Sequence, residues 1–583
     1  MSLWPKYPEW RIAPFLPEPD LDACDGVPRL LIQVLAAPTR LDWRQSGFRD
    51  RVLRFLAADL TALPDPHILL GMERALARIA SAREKHQRIT VYGDFDADGL
   101  TAAALLTLAL RQFYGFESDL IDTYISERQE SGRGPTLTAF QQLHAAGTNL
   151  IITVDCGSSS TEEIAYANQV GMDVIIVDHH QPPKTLPPAL AMINPMQPDC
   201  PYPYKGFAAV GLAFKVAWAL LGDTPFVRDL LDLVAIGTIA DVAPLTDENH
   251  TLVRAGLERL RTTQRPGLRA LAECSDLRLA EVNERDISFA LAPRLNAAGR
   301  MEHARLAFRL LTCADAVEAQ QLAATLQQLN KQRQERMAEI LVEATSQLAN
   351  APLAPILMVG GDAWPTGIIG LVAGKLAERY QRPVVAFSRG ATETRGSARS
   401  TPSFDIIATL ARRPELFTHF GGHKQAAGFS LPNDRIEDLR RYLLTAMTEA
   451  AGSTGLLPEA ATAPLAIDSR LRLRSVTLKT YEQLQWLAPF GVGNPEPLFA
   501  FEGTRVLRRW RGGENGIHLR LTASDGMERR EFIWHRMGEI EEHLSPIVDI
   551  AATLDAYRRR DDESLVLHLR VRDVRPAAVS FEG

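Results

Sequence analysis

Three aspartates alternate in Asp94-Phe95-Asp96-Ala97-Asp98, directly after the apolar run Ile89 to Tyr92 and before the Ala-rich stretch Leu100 to Leu110. Carboxylates crowded in this way repel one another unless a cation sits among them. Oxygen ligands of this kind suit hard divalent metals. A solvated acidic turn is the simpler reading of one isolated triplet, so the rest of the chain decides. Leu150 to Val154 runs into Asp155, and Val174 to Val177 runs into Asp178-His179-His180. Paired histidines behind an aspartate at the end of an apolar run are far better ligand candidates than a lone histidine. Mixed carboxylate and imidazole donors suit Mn²⁺, or Mg²⁺ with fewer imidazole contacts. With this many candidates two ions fit, and two-metal sites serve phosphoester hydrolysis above all.

The elements that position these residues follow from the same runs. Their apolarity is continuous rather than alternating, which predicts parallel strands covered on both faces. Chemistry in such sheets sits beyond the carboxyl ends of the strands. Adjacent ends would bring Asp96, Asp98, Asp155, Asp178, His179 and His180 into one crevice. Leu233 to Ala240 has helical spacing, so Asp241 would reach the crevice from outside the sheet.

Asp178-His179-His180 with GDFDADG upstream resembles the DHH phosphoesterase family. Gly421-Gly422-His423-Lys424-Gln425-Ala426-Ala427-Gly428 is similar to the GGHxxAAG signature of its companion DHHA1 domain. Pro293 to Arg300 (PRLNAAGR) and Pro489 to Pro495 (PFGVGNP) resemble motifs of one branch, the RecJ single-strand exonucleases. The resemblance covers roughly residues 50 to 575, with the motifs in order. Two positions depart from the pattern. Arg133 stands where a tyrosine is typical, and Pro365 in Trp364-Pro365-Thr366-Gly367 takes the place of a histidine.

The bounds are compatible with such an enzyme. The chain has 583 residues, 46% hydrophobic and 23% charged, enough for three or four domains. A net charge of −7 does not advertise a nucleic-acid binder, yet an acidic metal site is compatible with clustered basic residues elsewhere. Five scattered cysteines form no CxxC pair, which argues against a disulfide framework or a zinc site and suits a reducing compartment. The first residues lack the features of a signal peptide, and no run approaches a membrane span, so a cytoplasmic location without membrane association is expected.

The expected architecture is α/β. A Pro-rich N-terminal arm (1–50) packs on the first domain, a parallel-sheet DHH domain (51–260). A connector with a long helix follows (261–350), Ala314 to Asn350 being free of Gly and Pro. A smaller α/β DHHA1 domain (351–452) and a C-terminal OB-type β-barrel (456–583) complete the chain. The barrel rests on alternation such as Leu565, Leu567, Leu569, Val571 against Val566, His568, Arg570, Arg572. Between Arg505 and Arg536 eight arginines face four acidic residues, interleaved with Phe532 and Trp534, as a single-strand-tracking surface would be. Pro489 to Pro497 reads as a rigid segment holding the barrel against the core.

The resemblance implies a metal-dependent exonuclease that degrades single-stranded DNA from the 5′ end to 5′-mononucleotides, in DNA repair and recombination. Asp96, Asp98, Asp155, His179 and Asp241 would hold one or two Mn²⁺ or Mg²⁺ ions. Asp94 and Asp178 are ligands or groups orienting them, and His180 is a ligand or a transition-state donor. Arg128, Arg300, Ser397, Arg399 and His423 would position the strand, although the loop carrying Arg128 reads equally as a mobile connection. A helicase and a single-strand-binding protein are implied partners, and a monomer suffices. The alternatives are a relative acting on short oligonucleotides or cyclic dinucleotides, and a DNA-binding scaffold without metals.

Overall fold

A computed structural model describes residues 6–17, 24–115, 118–127, 134–349, 354–451, 464–513, 516–559 and 564–577. Arg128 and Arg133 lie outside them. The described residues divide into two units. One comprises those within 60–244 and 252–460, the other those before 60, within 245–251 and after 460. Among the described residues no helix is long and apolar enough to cross a membrane.

The first unit is built on five parallel strands: β1 (Ile89–Gly93), β2 (Ile121–Ile125), β3 (Leu150–Val154), β4 (Asp173–Val177) and β5 (Ala191–Ile193). Their order is β2-β1-β3-β4-β5. Every residue of β1 and β3 is buried, as continuous apolar runs require of strands covered on both faces. The chain leaves β1 first to one side and then to the other, so the crevice at its carboxyl end is a topological switch point. The register aligns Ile125, Gly93, Val154, Val177 and Ile193 across the sheet. The residues that follow them, Ser126, Asp94, Asp155, Asp178 and Asn194, therefore emerge in one row.

Three helices complete the surroundings of that row: α1 (Ala97–Tyr114), α2 (Ala209–Leu221) and α3 (Leu231–Ala240). Asp96 caps α1, its Oδ1 accepting from the N–H groups of Asp98 at 3.1 Å and Gly99 at 3.3 Å. A Cβ on Gly99 would fall 2.6 Å from the carbonyl oxygen of Asp94, so the tight turn from strand to helix excludes any side chain there. The connector carries a π-helical turn, Ile287–Leu291, leading into α4 (Ala292–Met301). Then comes α5 (Ala316–Ala349), 34 residues long and roughly 50 Å in extent.

The second sheet of this unit contains β6 (Leu357–Asp362), β7 (Val384–Arg389), β8 (Glu393–Arg399), β9 (His419–His423) and β10 (Ala426–Pro432), ordered β9-β10-β8-β7-β6. Only β6 and β7 run parallel, joined by the crossover helix α6 (Thr366–Tyr380).

In the second unit, β11 (Phe499–Gly512), β12 (His518–Ser524), β13 (Arg529–Trp534), β14 (Ile547–Arg558) and β15 (Leu565–Pro576) close into a barrel. The order is β11-β12-β13-β15-β14, with β14 returning to β11. Among these five strands only β13 and β15 pair in parallel. This is the OB arrangement. Two expectations are corrected here. Phe532 and Trp534 are buried in the barrel core, so they cannot stack on bases; the partly exposed Trp510, with Arg508 5.0 Å over its ring, and the exposed Tyr557 are aromatics at the barrel surface. The N-terminal residues are not an extended arm on the first domain. The helix Arg29–Leu35 puts Leu31, Ile32, Val34 and Leu35 into the barrel core, and Trp10–Ile12 pairs with Leu465–Ile467. Asp573 accepts from the Trp10 indole at 2.9 Å, and Arg40 forks onto Asp468. Pairings across more than four hundred residues leave no periodicity to read. The Pro489–Pro497 segment is braced inside this same unit: Arg40 donates to Asn494 Oδ1 and the Pro495 carbonyl, and Leu245 donates to the Val492 carbonyl.

Candidate metal centre and the pocket beside it

The row of strand ends gathers the predicted acidic and imidazole groups. Asp94 is buried, and its Oδ1 accepts from Ser126 Oγ at 3.0 Å. Asp98 is 1% exposed, and its two oxygens accept from the N–H groups of Ala209 and Val210, at 2.7 and 2.9 Å. Those donors open α2, whose dipole favours a negative charge there. Gly237 of α3 leaves room for this: a Cβ would fall 3.0 Å from Asp98 Oδ1 and 2.2 Å from Thr101 Oγ1. Asp241 follows directly on α3, and Val242 after it has φ +61°. Asp155 has φ +61° as well. Left-handed backbone at non-glycine residues is costly and concentrates where function fixes a side chain.

Asp178 organises the histidines. Its Oδ1 accepts from the backbone N–H of His179 at 2.8 Å, that of His180 at 3.2 Å, and His180 Nδ1 at 2.7 Å. Its Oδ2 accepts from the Ser158 N–H at 3.1 Å. The bond fixes a His180 proton on Nδ1. His179 Nε2 lies 3.1 Å from Asp155 Oδ1, and its Nδ1 lies 3.8 Å from Asp241 Oδ2.

The electrostatics follow. Burial, then the Asp241 and Asp96 charges, pushes the Asp98 carboxyl well above its ordinary range. Burial and the neighbouring Asp96, Asp98, Asp94 and Asp178 do the same to Asp155. Burial alone would raise Asp178, but the hydrogen bond and charge of His180 outweigh it and hold the carboxylate below its usual range. Burial and the adjacent His180, opposed by Asp178, bring His179 down to about 4, so it is a neutral imidazole at neutral pH.

Three overlapping sets each bring their ligand atoms within 4.8 Å of one another: Asp94, Asp96 and Asp155; Asp98, His179 and Asp241; Asp155, Asp178, His179 and His180. The first two sets between them hold five carboxylates and one imidazole. Carboxylates crowded this closely, most of them buried, are the donor chemistry of a divalent-ion centre. Asp178 already accepts four hydrogen bonds and is the least free to ligate.

A pocket opens beside Asp96, Asp98 and Asp241, walled by Asn296, Arg300, Ser397 and Arg399 and by the start of α6. Asn296 Oδ1 accepts from the Ala97 N–H at 2.9 Å, tying α4 to the acidic loop. Arg300 Nη1 donates to the Gly367 carbonyl at 2.8 Å, and Arg399 Nη1 donates to Ser397 Oγ at 3.1 Å. Pro365 sits at the N-cap of α6 with φ −60°, a conformation proline favours, so its presence costs the fold nothing. His423 is exposed on the edge strand β9 and does not line this pocket; the register places it two strands from Arg399 on one row. Sequence reading missed Ser126 and Gly370, and met Thr366 and Gly367 only as the motif that departs at Pro365. The signal for Ser126 was its position one residue past a strand end.

Comparisons with known proteins agree with this architecture. Residues 88–238 match the family model for the DHH family, N-terminal domain, residues 349–449 that for the DHHA1 domain, and residues 467–571 that for the RecJ OB domain. The chain is 37% identical over 532 residues to the single-stranded-DNA-specific exonuclease RecJ of Dickeya dadantii, covering 87% of this chain and 88% of that one. It is 38% identical to the Bacillus subtilis RecJ over 83% of this chain, and spans 60% of that longer relative. The crystal structure of RecJ in complex with Mn²⁺ from Thermus thermophilus superposes with a TM-score of 0.80 at 29% identity, covering 98% of this chain and 80% of that one.

Proposed function

The chain belongs to the RecJ family of single-stranded-DNA-specific exonucleases, and from that premise we propose that it hydrolyses single-stranded DNA from the 5′ end and releases 5′-mononucleotides. The observation that carries the reading is the meeting, around one pocket, of Asp96, Asp98 and Asp241 with Arg300, Ser397 and Arg399. An acidic centre that would hold Mn²⁺ or Mg²⁺ faces cationic and hydroxyl groups suited to a phosphate.

Asp96, Asp98, Asp155, His179 and Asp241 would hold the ions, with Asp94 as a further carboxylate at the same place. Bound divalent ions supply Lewis acidity that activates a water and offsets charge on the leaving oxygen in an in-line displacement. The chain's residues do the rest. Ala209 and Val210 N–H fix both oxygens of Asp98. Asp178 aims the histidines. Asn296 keeps the acidic loop at its distance from α4. Arg300, Ser397 and Arg399 grip the backbone, with His423 and Arg128 as further strand contacts. Trp510 and the barrel arginines add contacts for longer strands. A monomer suffices for this chemistry. Cooperation with a helicase and a single-strand-binding protein, a role in repair and recombination, and a cytoplasmic location belong to the same reading.

A small-substrate phosphodiesterase has little use for the closed barrel of 499–576, and a metal-free scaffold has none for the three ligand sets. Supplying a 5′-labelled 40-mer, a dinucleotide and a cyclic dinucleotide with Mn²⁺ separates the readings. The labelled mononucleotide is the expected first product from the 40-mer. Cleavage confined to the two small substrates would overturn the proposal.

A further inference from the structure

Four of the five residues that follow the aligned strand ends have a place in the account above. The fifth, Asn194 at the end of β5, is fully buried. The ladder continues through this row: Asp94 N–H donates to the Val154 carbonyl, Asp155 N–H to Val177, and Asp178 N–H to Ile193. Asn194 thus stands beside Asp178 as Asp178 stands beside Asp155.

Its amide is fully committed. Nδ2 donates to the His180 carbonyl at 2.8 Å and to Ser158 Oγ at 3.1 Å, while Oδ1 accepts from the Met196 N–H at 2.8 Å. The last bond sets the orientation of the amide and therefore directs both donors. Ser158 in turn gives its N–H to Asp178 Oδ2, and Asp178 Oδ1 accepts from His180 Nδ1. The ring Asn194–Ser158–Asp178–His180 is closed by hydrogen bonds at every link.

We propose that Asn194 is a positioning residue of the metal centre, holding the His179-His180 peptide and the Asp178 carboxylate in the orientation that binding divalent ions requires. It does not touch the ion or the substrate. Partners that orient metal ligands from behind change affinity 10- to 100-fold when removed. Truncating Asn194 would remove its two donated bonds, to the His180 carbonyl and to Ser158 Oγ, and loosen the hold on the dipeptide. The inference rests on the metal-centre reading of the site.

Gln197 provides the control. It is buried in the same loop, and its side chain donates to the backbone carbonyls of Met192 and Asn194, at 2.9 and 3.1 Å, rather than to a ring side chain. Mn²⁺ affinity of the full-length chain, stripped with EDTA, is read from the free-Mn²⁺ EPR signal for wild type, Asn194→Ala, Asn194→Ser and Gln197→Ala. Melting temperatures in EDTA are read beside it, and kcat and KM on single-stranded DNA are measured. The expected result is a 10- to 100-fold loss of Mn²⁺ affinity in Asn194→Ala, smaller in Asn194→Ser, which retains one donor. Loss of kcat at unchanged KM should accompany it. Gln197→Ala should melt lower yet bind Mn²⁺ within about 2-fold of wild type, since no ring bond is lost. Wild-type affinity in both folded Asn194 variants, or an equal loss in Gln197→Ala, would overturn the positioning role. Absence of Mn²⁺ binding by the wild type would instead remove the metal-centre reading on which it rests.

Discussion

Asp155 Oδ1 lies 3.1 Å from His179 Nε2, although 24 residues separate them in the chain. The two belong to adjacent parallel strand ends, and each also belongs to another of the ligand sets, Asp155 with Asp94 and Asp96, His179 with Asp98 and Asp241. They are the hinge on which both halves of the centre turn.

That position makes Asp155→Asn a two-sided test. Burial and four neighbouring carboxylates disfavour the ionised form of Asp155, so an isosteric neutral amide relieves repulsion in the metal-free protein. Asparagine also tolerates the left-handed backbone at φ +61°. The variant should melt higher than wild type in EDTA, gain little from Mn²⁺, and lose at least about 100-fold in kcat. Calorimetry with and without Mn²⁺ checks all but the last.

His179 gives a pH signature. Its folded-state value of about 4 is below the ordinary histidine value. A depressed group of this kind contributes stability above its unfolded value, and that contribution is lost as pH falls through the folded one. Between about pH 6.5 and about pH 4 the metal-free protein should lose on the order of 3 kcal/mol that a His179→Asn variant does not lose. Asp98 and Asp155, both raised, act in the opposite sense: their ionisation costs stability as pH rises. The comparison with His179→Asn isolates the imidazole. Urea titrations of both proteins in EDTA across that window provide the measurement.

The glycines of β8, β9 and β10 divide into two kinds. A Cβ on Gly422, where φ is +144°, would fall 2.3 Å from the Ala426 carbonyl oxygen, and one on Gly396 would fall 2.0 Å from the Phe429 ring. Both are needed by the fold. Gly421 has open space around its Cβ position and Gly428 has nothing nearer than 4.0 Å, yet the register aligns both with Ser397. Gly421→Ala and Gly428→Ala should leave the melting temperature within about 2 °C and raise KM for single-stranded DNA about 10-fold if the bare strand admits a nucleic-acid backbone. Gly396→Ala should destabilise the domain by about 1–3 kcal/mol, as overpacking does at buried sites.

Arg399 is placed for charge-assisted contact with phosphate. Arg399→Ala should raise KM about 10- to 100-fold for a 5′-phosphorylated strand and much less for a 5′-hydroxyl strand. Steady-state kinetics on the two substrates distinguishes end recognition from general backbone binding.

Trp510→Ala should weaken binding of long strands by about 1–3 kcal/mol without affecting a dinucleotide. Trp534→Ala should destabilise the barrel instead, because Trp534 is buried in its core. Fluorescence anisotropy on a 40-mer and a dinucleotide, with melting curves, separates the two.

What was legible in the sequence was local. Asp94, Asp155 and Asp178 follow the ends of apolar runs of strand length, and Asp96, Asp98, His179 and His180 lie within four residues of them, a closeness that survives folding unchanged. Asp241 was readable because Leu233 to Ala240 reads as a helix, and the structural helix Leu231–Ala240 ends directly before it. Asn194 was not, since Ala191–Ile193 is a strand of only three residues behind a Pro-rich loop. The burial of Phe532 and Trp534 was hidden because Phe532, Ile533 and Trp534 are buried in succession, so no alternation marks an outer face. The docking of the N-terminal residues on the barrel depends on Asp573 and Asp468, more than four hundred residues away.

The central claim is that this acidic and histidine cluster drives 5′-to-3′ degradation of single strands. It is tested most directly by incubating wild type and His179→Ala with 3′-labelled single-stranded DNA and its duplex in Mn²⁺. The expected result is 3′-labelled products that shorten progressively from the 5′ end, with wild type alone and with the single strand alone. Equal degradation by His179→Ala, or intact DNA that wild type binds but never shortens, would contradict it.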